Sequence, residues 1–143
     1  MDKNSVGFQL RALGILLKRK IDSSEAMKRF ENITGMQRWV VKLLAEQQQR
    51  DVFQKDVEEV LSIRRSTATK LLQLAEKNGL IYRESVDYDA RLKRIKLTPK
   101  ALELHQIIMH EIELLEIQIQ AGITKEELDH FFKVIDKMKR NIE

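Results

Sequence analysis

Between residues 64 and 73 the chain groups short hydroxyl and basic side chains: Arg64, Arg65, Ser66, Thr67, Thr69, Lys70 and Gln73. At helical spacing these residue types suit the approach of a helix to base edges. Short hydroxyls let the backbone come close, and Arg or Lys bonds guanine O6/N7 or phosphate oxygens. Further along stand Asp89, Arg91 and Lys93, in a polar and charged segment. A thin basic hairpin of this kind can reach an adjacent minor groove, where strong negative potential draws arginine. Other chemistries are poorly supplied. His105 and His110 are five positions apart, not the three or four that put two ligands on one helix face, and His130 is distant. A metal site built from them with Glu103 or Glu113 is a weak alternative. There is no nucleophile elbow, glycine-rich phosphate loop or paired-histidine motif, so the sequence assigns no catalytic residue, metal or cofactor. The chain has no cysteine, which excludes disulfides, thiolate metal sites and thiol redox switches.

The charge distribution supports the first reading. The 143 residues contain 26 Lys+Arg and 22 Asp+Glu, a net charge of +4. Residues 61–100 hold ten basic and four acidic side chains, so that segment is +6 and the remainder is −2. A basic block in a chain of single-domain length is the footprint of a polyanion binder, the alternative being a solvated charged face. Hydrophobic residues at 43% and charged residues at 34% fit a soluble globular protein. Five glycines and one proline leave little material for tight turns, so a helix-rich fold is expected. No apolar run approaches a membrane span and no secretory h-region is visible, which points to a cytoplasmic protein without a membrane partner.

Positioning these side chains requires ordered elements. Val6, Leu10, Leu13 and Leu17 predict one long helix over residues 5–31. Thr34 to Gln37 reads as a capping box, opening a helix with Trp39, Val40, Leu43 and Leu44 on its core face and an end near Gln48–Arg50. Trp39 reads as a core residue rather than a ligand platform. A short amphipathic helix over Asp51–Leu61, a break at Ser62–Ile63 and a helix over Arg64–Asn78 follow. The latter turns Leu71, Leu72 and Ala75 inward, and Gly79 suits the left-handed position after its end. The period then changes to that of strands, over Leu80–Val86 and Arg94–Thr98, with a seven-residue loop of residues 87–93 between them. Arg83 either pairs across this hairpin or meets a phosphate. Thr98-Pro99 starts a helix to about Ala121, apolar on more than one face and so expected to contact another subunit. Gly122 breaks it. Thr124 to Glu127 caps a last helix carrying Leu128, Phe131, Phe132, Ile135, Met138 and Ile142.

Two short helices, the second polar outside, followed by a basic hairpin, match the helix-turn-helix plan with a wing. Residues Phe53–Val57, Leu61–Leu72, Leu74–Ile81, Arg83, Asp89–Lys93 and Leu97-Thr98 resemble the winged helix-turn-helix of the MarR family of bacterial transcriptional regulators. The Asp-x-Arg pattern followed by Leu-Thr is the most specific part. The resemblance implies a mainly α fold with a small β-hairpin wing, flanked by interlocking terminal helices. Residues 1–33 would be an N-terminal dimerisation helix. Residues 34–98 would be the DNA-binding domain, with the recognition helix at about 64–78 and the wing at about 80–98. Residues 99–143 would be C-terminal dimerisation helices. It further implies a homodimer on a pseudopalindromic double-stranded operator, Arg91 in the minor groove oriented by Asp89, and Ser66, Thr67, Thr69 and Lys70 toward the major groove or its phosphates. A small-molecule effector, phenolic or otherwise amphipathic, would bind between dimerisation helices and winged domain. Residues near the start of the chain and around Trp39 are the candidates for its pocket, and the missing cysteines exclude the thiol-oxidation branch. Two positions depart from the family pattern: Arg64 stands where a capping serine is common, and Ala101 where a glycine follows Leu-Thr. The expectation is therefore a ligand-responsive repressor without enzymatic activity. The alternative is a winged-helix protein-interaction module that binds no DNA.

Overall fold

A computed structural model describes residues 2–143. Helix α1 (Val6–Asp22) leads into a 3-10 helix at Glu25–Phe30. Then follow α2 (Gly35–Glu46), α3 (Gln54–Leu61), α4 (Arg65–Lys77), strands β1 (Ile81–Val86) and β2 (Asp89–Leu97), α5 (Pro99–Ile119) and α6 (Lys125–Ile142). The fold is mainly α with a two-stranded antiparallel hairpin, as the sequence indicates.

Local signals act where they were read. Thr34, Thr98 and Thr124 each cap a helix, their hydroxyls accepting from the backbone N–H groups of Gln37, Ala101 and Glu127. At α6 the box closes, because the Glu127 carboxylate accepts from Thr124 N–H at 2.9 Å. At α2 it does not. The Gln37 side chain is fully buried; its Nε2 donates to Thr34 Oγ1 at 3.4 Å and its Oε1 accepts from Asn78 Nδ2 at 2.8 Å.

Four expectations need correction. The predicted helix over residues 5–31 breaks at Ser23–Ser24. Ser23 closes α1, donating its hydroxyl to the Lys20 carbonyl, and Ser24 is extended. The break lets the 3-10 helix bury Met27 and Phe30, which a straight continuation of α1 would not do. The second helix ends at Glu46, and the third starts at Gln54 rather than Asp51. Its lead-in stays extended because Val52 carbonyl accepts Ile95 N–H at 2.8 Å, adding a short backbone link beside β2. The hairpin loop is only Asp87 and Tyr88. Residues 89–93 belong to β2, but only Asp89 and Lys93 pair with β1, opposite Val86 and Ser85; residues 90–92 bulge out between them. Trp39 is 55% exposed instead of joining the core.

The core lies between α2, α3, α4, the base of the hairpin and the start of α5. It contains Val40, Val41, Val57, Leu72, Ala75, Leu80, Ile95, Ala101 and Leu104. In contrast, α1 and α6 bury no residue within the chain, although both carry apolar stripes. Among the described residues no helix is long and apolar enough to cross a membrane.

The junction between α4 and the hairpin is fixed by backbone conformation. Gly79 has φ of +71°. Its carbonyl accepts the Thr98 hydroxyl, and Thr98 N–H donates to Leu80 carbonyl at 3.0 Å. A Cβ at Gly79 would meet only Lys100 Cδ, at 3.8 Å, so conformation rather than space demands glycine. Gly79→Ala should lower unfolding free energy by about 1–2 kcal/mol without changing the fold, measurable by urea denaturation.

Candidate nucleic-acid interface

Helix α4 buries Ala68, Leu72 and Ala75, one face at spacings of four and three. The opposite face is therefore presented to solvent, and Arg65, Ser66, Thr67, Lys70 and Gln73 are exposed on it. The preceding turn is made by Ser62 in the left-handed conformation, φ 52°, and its own N–H returns to Glu59 carbonyl. Arg64 occupies the N-cap and supplies no side-chain bond to the first turn. The opening N–H groups of α4 thus keep their capacity for an external acceptor, beside two guanidinium groups.

Arg64, Arg65, Ser66, Thr69, Lys70 and Gln73 line one shallow hollow on this outer face. Thr67 is exposed on the helix but does not line it. Thr69 has internal work. Its hydroxyl donates to Arg65 carbonyl at 2.9 Å and accepts from Gln54 Nε2 at 2.9 Å. The Gln54 amide also approaches Arg65 carbonyl at 3.4 Å, so it ties the start of α3 to the start of α4. Sequence reasoning missed Gln54, because nothing in its local pattern reveals that the turn brings it against Thr69.

The wing supplies the second part. Arg91 is extended into solvent, its side chain 89% exposed, yet it is oriented. Asp89 Oδ1 accepts from Arg91 N–H at 2.9 Å and from Nε at 3.2 Å, and Oδ2 accepts from Nη2 at 3.1 Å. These bonds favour the charged carboxylate and hold Asp89 below its ordinary pKa. Lys93 Nζ donates to Ser85 Oγ at 2.6 Å. Arg83 does not pair across the hairpin; its Nε donates to Glu76 of α4. Between helix and wing runs an open groove of about 570 Å³, lined among others by Lys55, Arg65, Arg83, Arg91, Lys93 and one acid, Glu58. Lys55 and Glu58 were not singled out from the sequence; both lie on α3, which lines the groove together with α4 and the wing. Chemically the surface presents a polar helix face and a projecting guanidinium with a basic groove between them, an arrangement suited to a phosphate backbone flanked by two grooves. Among the described residues no group of three His, Asp or Glu side chains converges as a metal site.

Residues 31–92 match the family model described as MarR family. Over nearly its whole length the chain is similar to solved structures of MepR from Staphylococcus aureus. One is a MepR mutant from a multidrug-resistant clinical isolate, 26% identical, covering 96% of this chain and 97% of that one with a TM-score of 0.66. Another, described as a transcription regulator of the multidrug efflux pump MepA, is 24% identical, covering 97% and 99% with a TM-score of 0.75. A MepR–DNA complex is 23% identical, covering 100% of both chains with a TM-score of 0.76. These likenesses place the helices and hairpin described above in one common fold.

The Asp89–Arg91 pair has a direct spectroscopic test. The Asp89 carboxyl should titrate below the ordinary aspartate range in the wild type and return to it in Arg91→Ala. Because the folded value is depressed, the pairing is complete above the ordinary aspartate pKa and is lost as pH falls through the lowered one. A carboxyl chemical-shift titration by NMR reads both values, and an unchanged midpoint in Arg91→Ala would contradict the pairing.

Proposed function

Residues 31–92 belong to the MarR family of winged-helix transcription regulators, and on that premise we propose that the chain acts as a homodimeric, ligand-responsive repressor on a pseudopalindromic operator. The observation that carries this reading is the basic groove between α4 and a wing whose Arg91 is oriented by Asp89. In it Arg64, Arg65, Ser66, Thr67, Lys70 and Gln73 meet major-groove edges or phosphates. Thr69 acts mainly by fixing the start of the recognition helix, and Lys93 lies beside the wing contact. Arg91 reaches the minor groove, and Asp89 limits the rotamers it must give up on binding. MepR, which shares this fold, has been crystallised with DNA.

A second copy of the chain is the natural cover for α1, α5 and α6. Val6, Leu10 and Leu16 on α1, Ile117 on α5, and Phe131 and Phe132 on α6 are all exposed in the single chain. With both copies joined, the recognition helices would address half-sites about one helical turn apart. Trp39 is the one tryptophan, exposed on α2 with the Lys42 ammonium 4.9 Å from its ring centroid. An amphipathic effector seated there would act by favouring a dimer whose half-site spacing no longer fits.

Gel-shift and anisotropy measurements with DNA upstream of the coding region test the reading. Arg91→Ala should weaken binding roughly tenfold or more while light scattering still shows a dimer. Lys70→Ala should weaken binding across sequences and lower the salt slope by about one. Absence of DNA binding at low salt would instead favour the protein-interaction module.

A further inference from the structure

The outer part of the wing has little apolar packing to fix it. Between Tyr82 and Arg94 the only buried side chain is Val86. The sheet contains just β1 and β2, and a lone two-stranded hairpin is marginal in water. Yet the turn is tethered from outside. Tyr88, one of its two residues, is 67% exposed, and its hydroxyl donates to Asp51 Oδ2 at 3.0 Å. Asp51 Oδ1 accepts from Arg94 Nη1 at 3.4 Å, and Arg94 Nε donates to Glu84 Oε2 at 2.7 Å. Asp51 lies in the extended segment before α3, next to the Val52 carbonyl that accepts Ile95 N–H. One carboxylate outside the hairpin therefore holds both its turn and the middle of β2 to the helix-turn-helix.

We infer that Asp51 and Tyr88 form a latch that sets the pose of the wing, and through it the placement of Arg91 relative to the recognition helix. This rests on the DNA-binding reading above. Asp51 and Tyr88 are positioning residues: their side chains bond to each other, and neither lines the groove between α4 and the wing. A guanidinium that must enter a groove at a set distance from a helix in the neighbouring groove gains from a wing held in place before contact. A loose wing pays its ordering entropy during binding.

The charge of Asp51 makes the inference sharp. It is an acid beside a basic surface, so electrostatics alone says that removing it strengthens DNA binding, the net charge rising by one. The latch requires the opposite sign. In the full-length protein, Asp51→Asn should weaken binding to the upstream DNA about three- to tenfold despite the added charge. Tyr88→Phe, which changes no charge, should weaken it by a smaller factor, and Asp51→Glu should recover part of the loss. In an Arg91→Ala background Asp51→Asn should no longer weaken binding and should show only the modest electrostatic gain of the lost charge, because the latch works through Arg91. Hydrogen exchange of the free protein gives a readout without DNA: amides of residues 90–93 should exchange faster in Asp51→Asn and Tyr88→Phe, with α5 unchanged. Unchanged or tighter DNA binding by Asp51→Asn, or unaltered wing exchange in both variants, would overturn the latch. If the wild type binds no DNA, the proposed function fails, and the exchange measurement still decides whether Asp51 and Tyr88 hold the wing. If Asp51→Asn fails to fold, Tyr88→Phe carries both measurements.

Discussion

A fully buried amide must find partners for its oxygen and nitrogen, and in this chain that requirement falls on Gln37. Its oxygen accepts from Asn78, at the end of α4, and its nitrogen faces the Thr34 cap of α2. Asn78 carbonyl accepts Lys100 Nζ at 2.8 Å, and the next carbonyl, that of Gly79, accepts the Thr98 hydroxyl. The start of α2, the end of α4, the base of the wing and the start of α5 thus meet around a few polar groups. Leaving the buried Gln37 amide unpaired would cost about 1–3 kcal/mol, which opposes separation of α2 from the end of α4. The end of α4 and the base of the hairpin are joined through that hub.

Rigid placement also decides which charges remain for a partner. The +6 of residues 61–100 overstates what is on offer. Arg83 is engaged by Glu76, Arg94 by Glu84 and Asp51, and Lys100 by a helix-end carbonyl. Exposed ion pairs of this kind contribute little to stability, on the order of 0–1 kcal/mol. Their value here is directional: they tie β1 to α4 and β2 to β1 and to the segment before α3. Arg91 differs, being paired with Asp89 yet almost wholly solvent-exposed. Arg64, Arg65 and Lys70 stand exposed along the outer side of α4. The distinction between engaged and presented cations is invisible in a charge count and appears only when the hairpin folds against α4.

What the sequence made legible was what a few neighbouring residues decide. A threonine three positions before a backbone N–H, a proline at a first helical position and a glycine after an apolar stripe act locally, so Thr98, Pro99, Gly79 and Gly122 are read correctly. The misreadings share a different cause. Ser23 and Ser24 end α1 because Met27 and Phe30 must turn into a core assembled from distant segments. Asp89 and Lys93 are drawn into the hairpin by pairing with Val86 and Ser85 on β1, with residues 90–92 bulged between them, a long-range effect that their own pattern does not announce. Asp51–Phe53 stays extended to meet β2. For the site, the residue types at 64–73 and 89–93 announced the chemistry, whereas the contacts that orient it, Gln54 on Thr69 and Asp51 on Tyr88, span 15 and 37 positions.

The exposed faces of α1, α5 and α6 bear on stability as well as assembly. Neither α1 nor α6 buries a residue within its own chain, and α5 buries only Ala101 and Leu104, near its start. A helix is marginal in water unless an apolar face is covered, so α6 and most of α1 gain little stability within one chain, while α5 is anchored only through its first half, by Ala101, Leu104, Ile107 and Ile108. With the proposed homodimer, association and the folding of these helices become one process, and stability depends on protein concentration. The winged segment is the opposite case, since its core and its polar hub close within one chain. A ligand or mutation that shifts the helices of the pair can then reorient two intact winged segments without unfolding either. Regulation by changed half-site spacing requires that separation of roles.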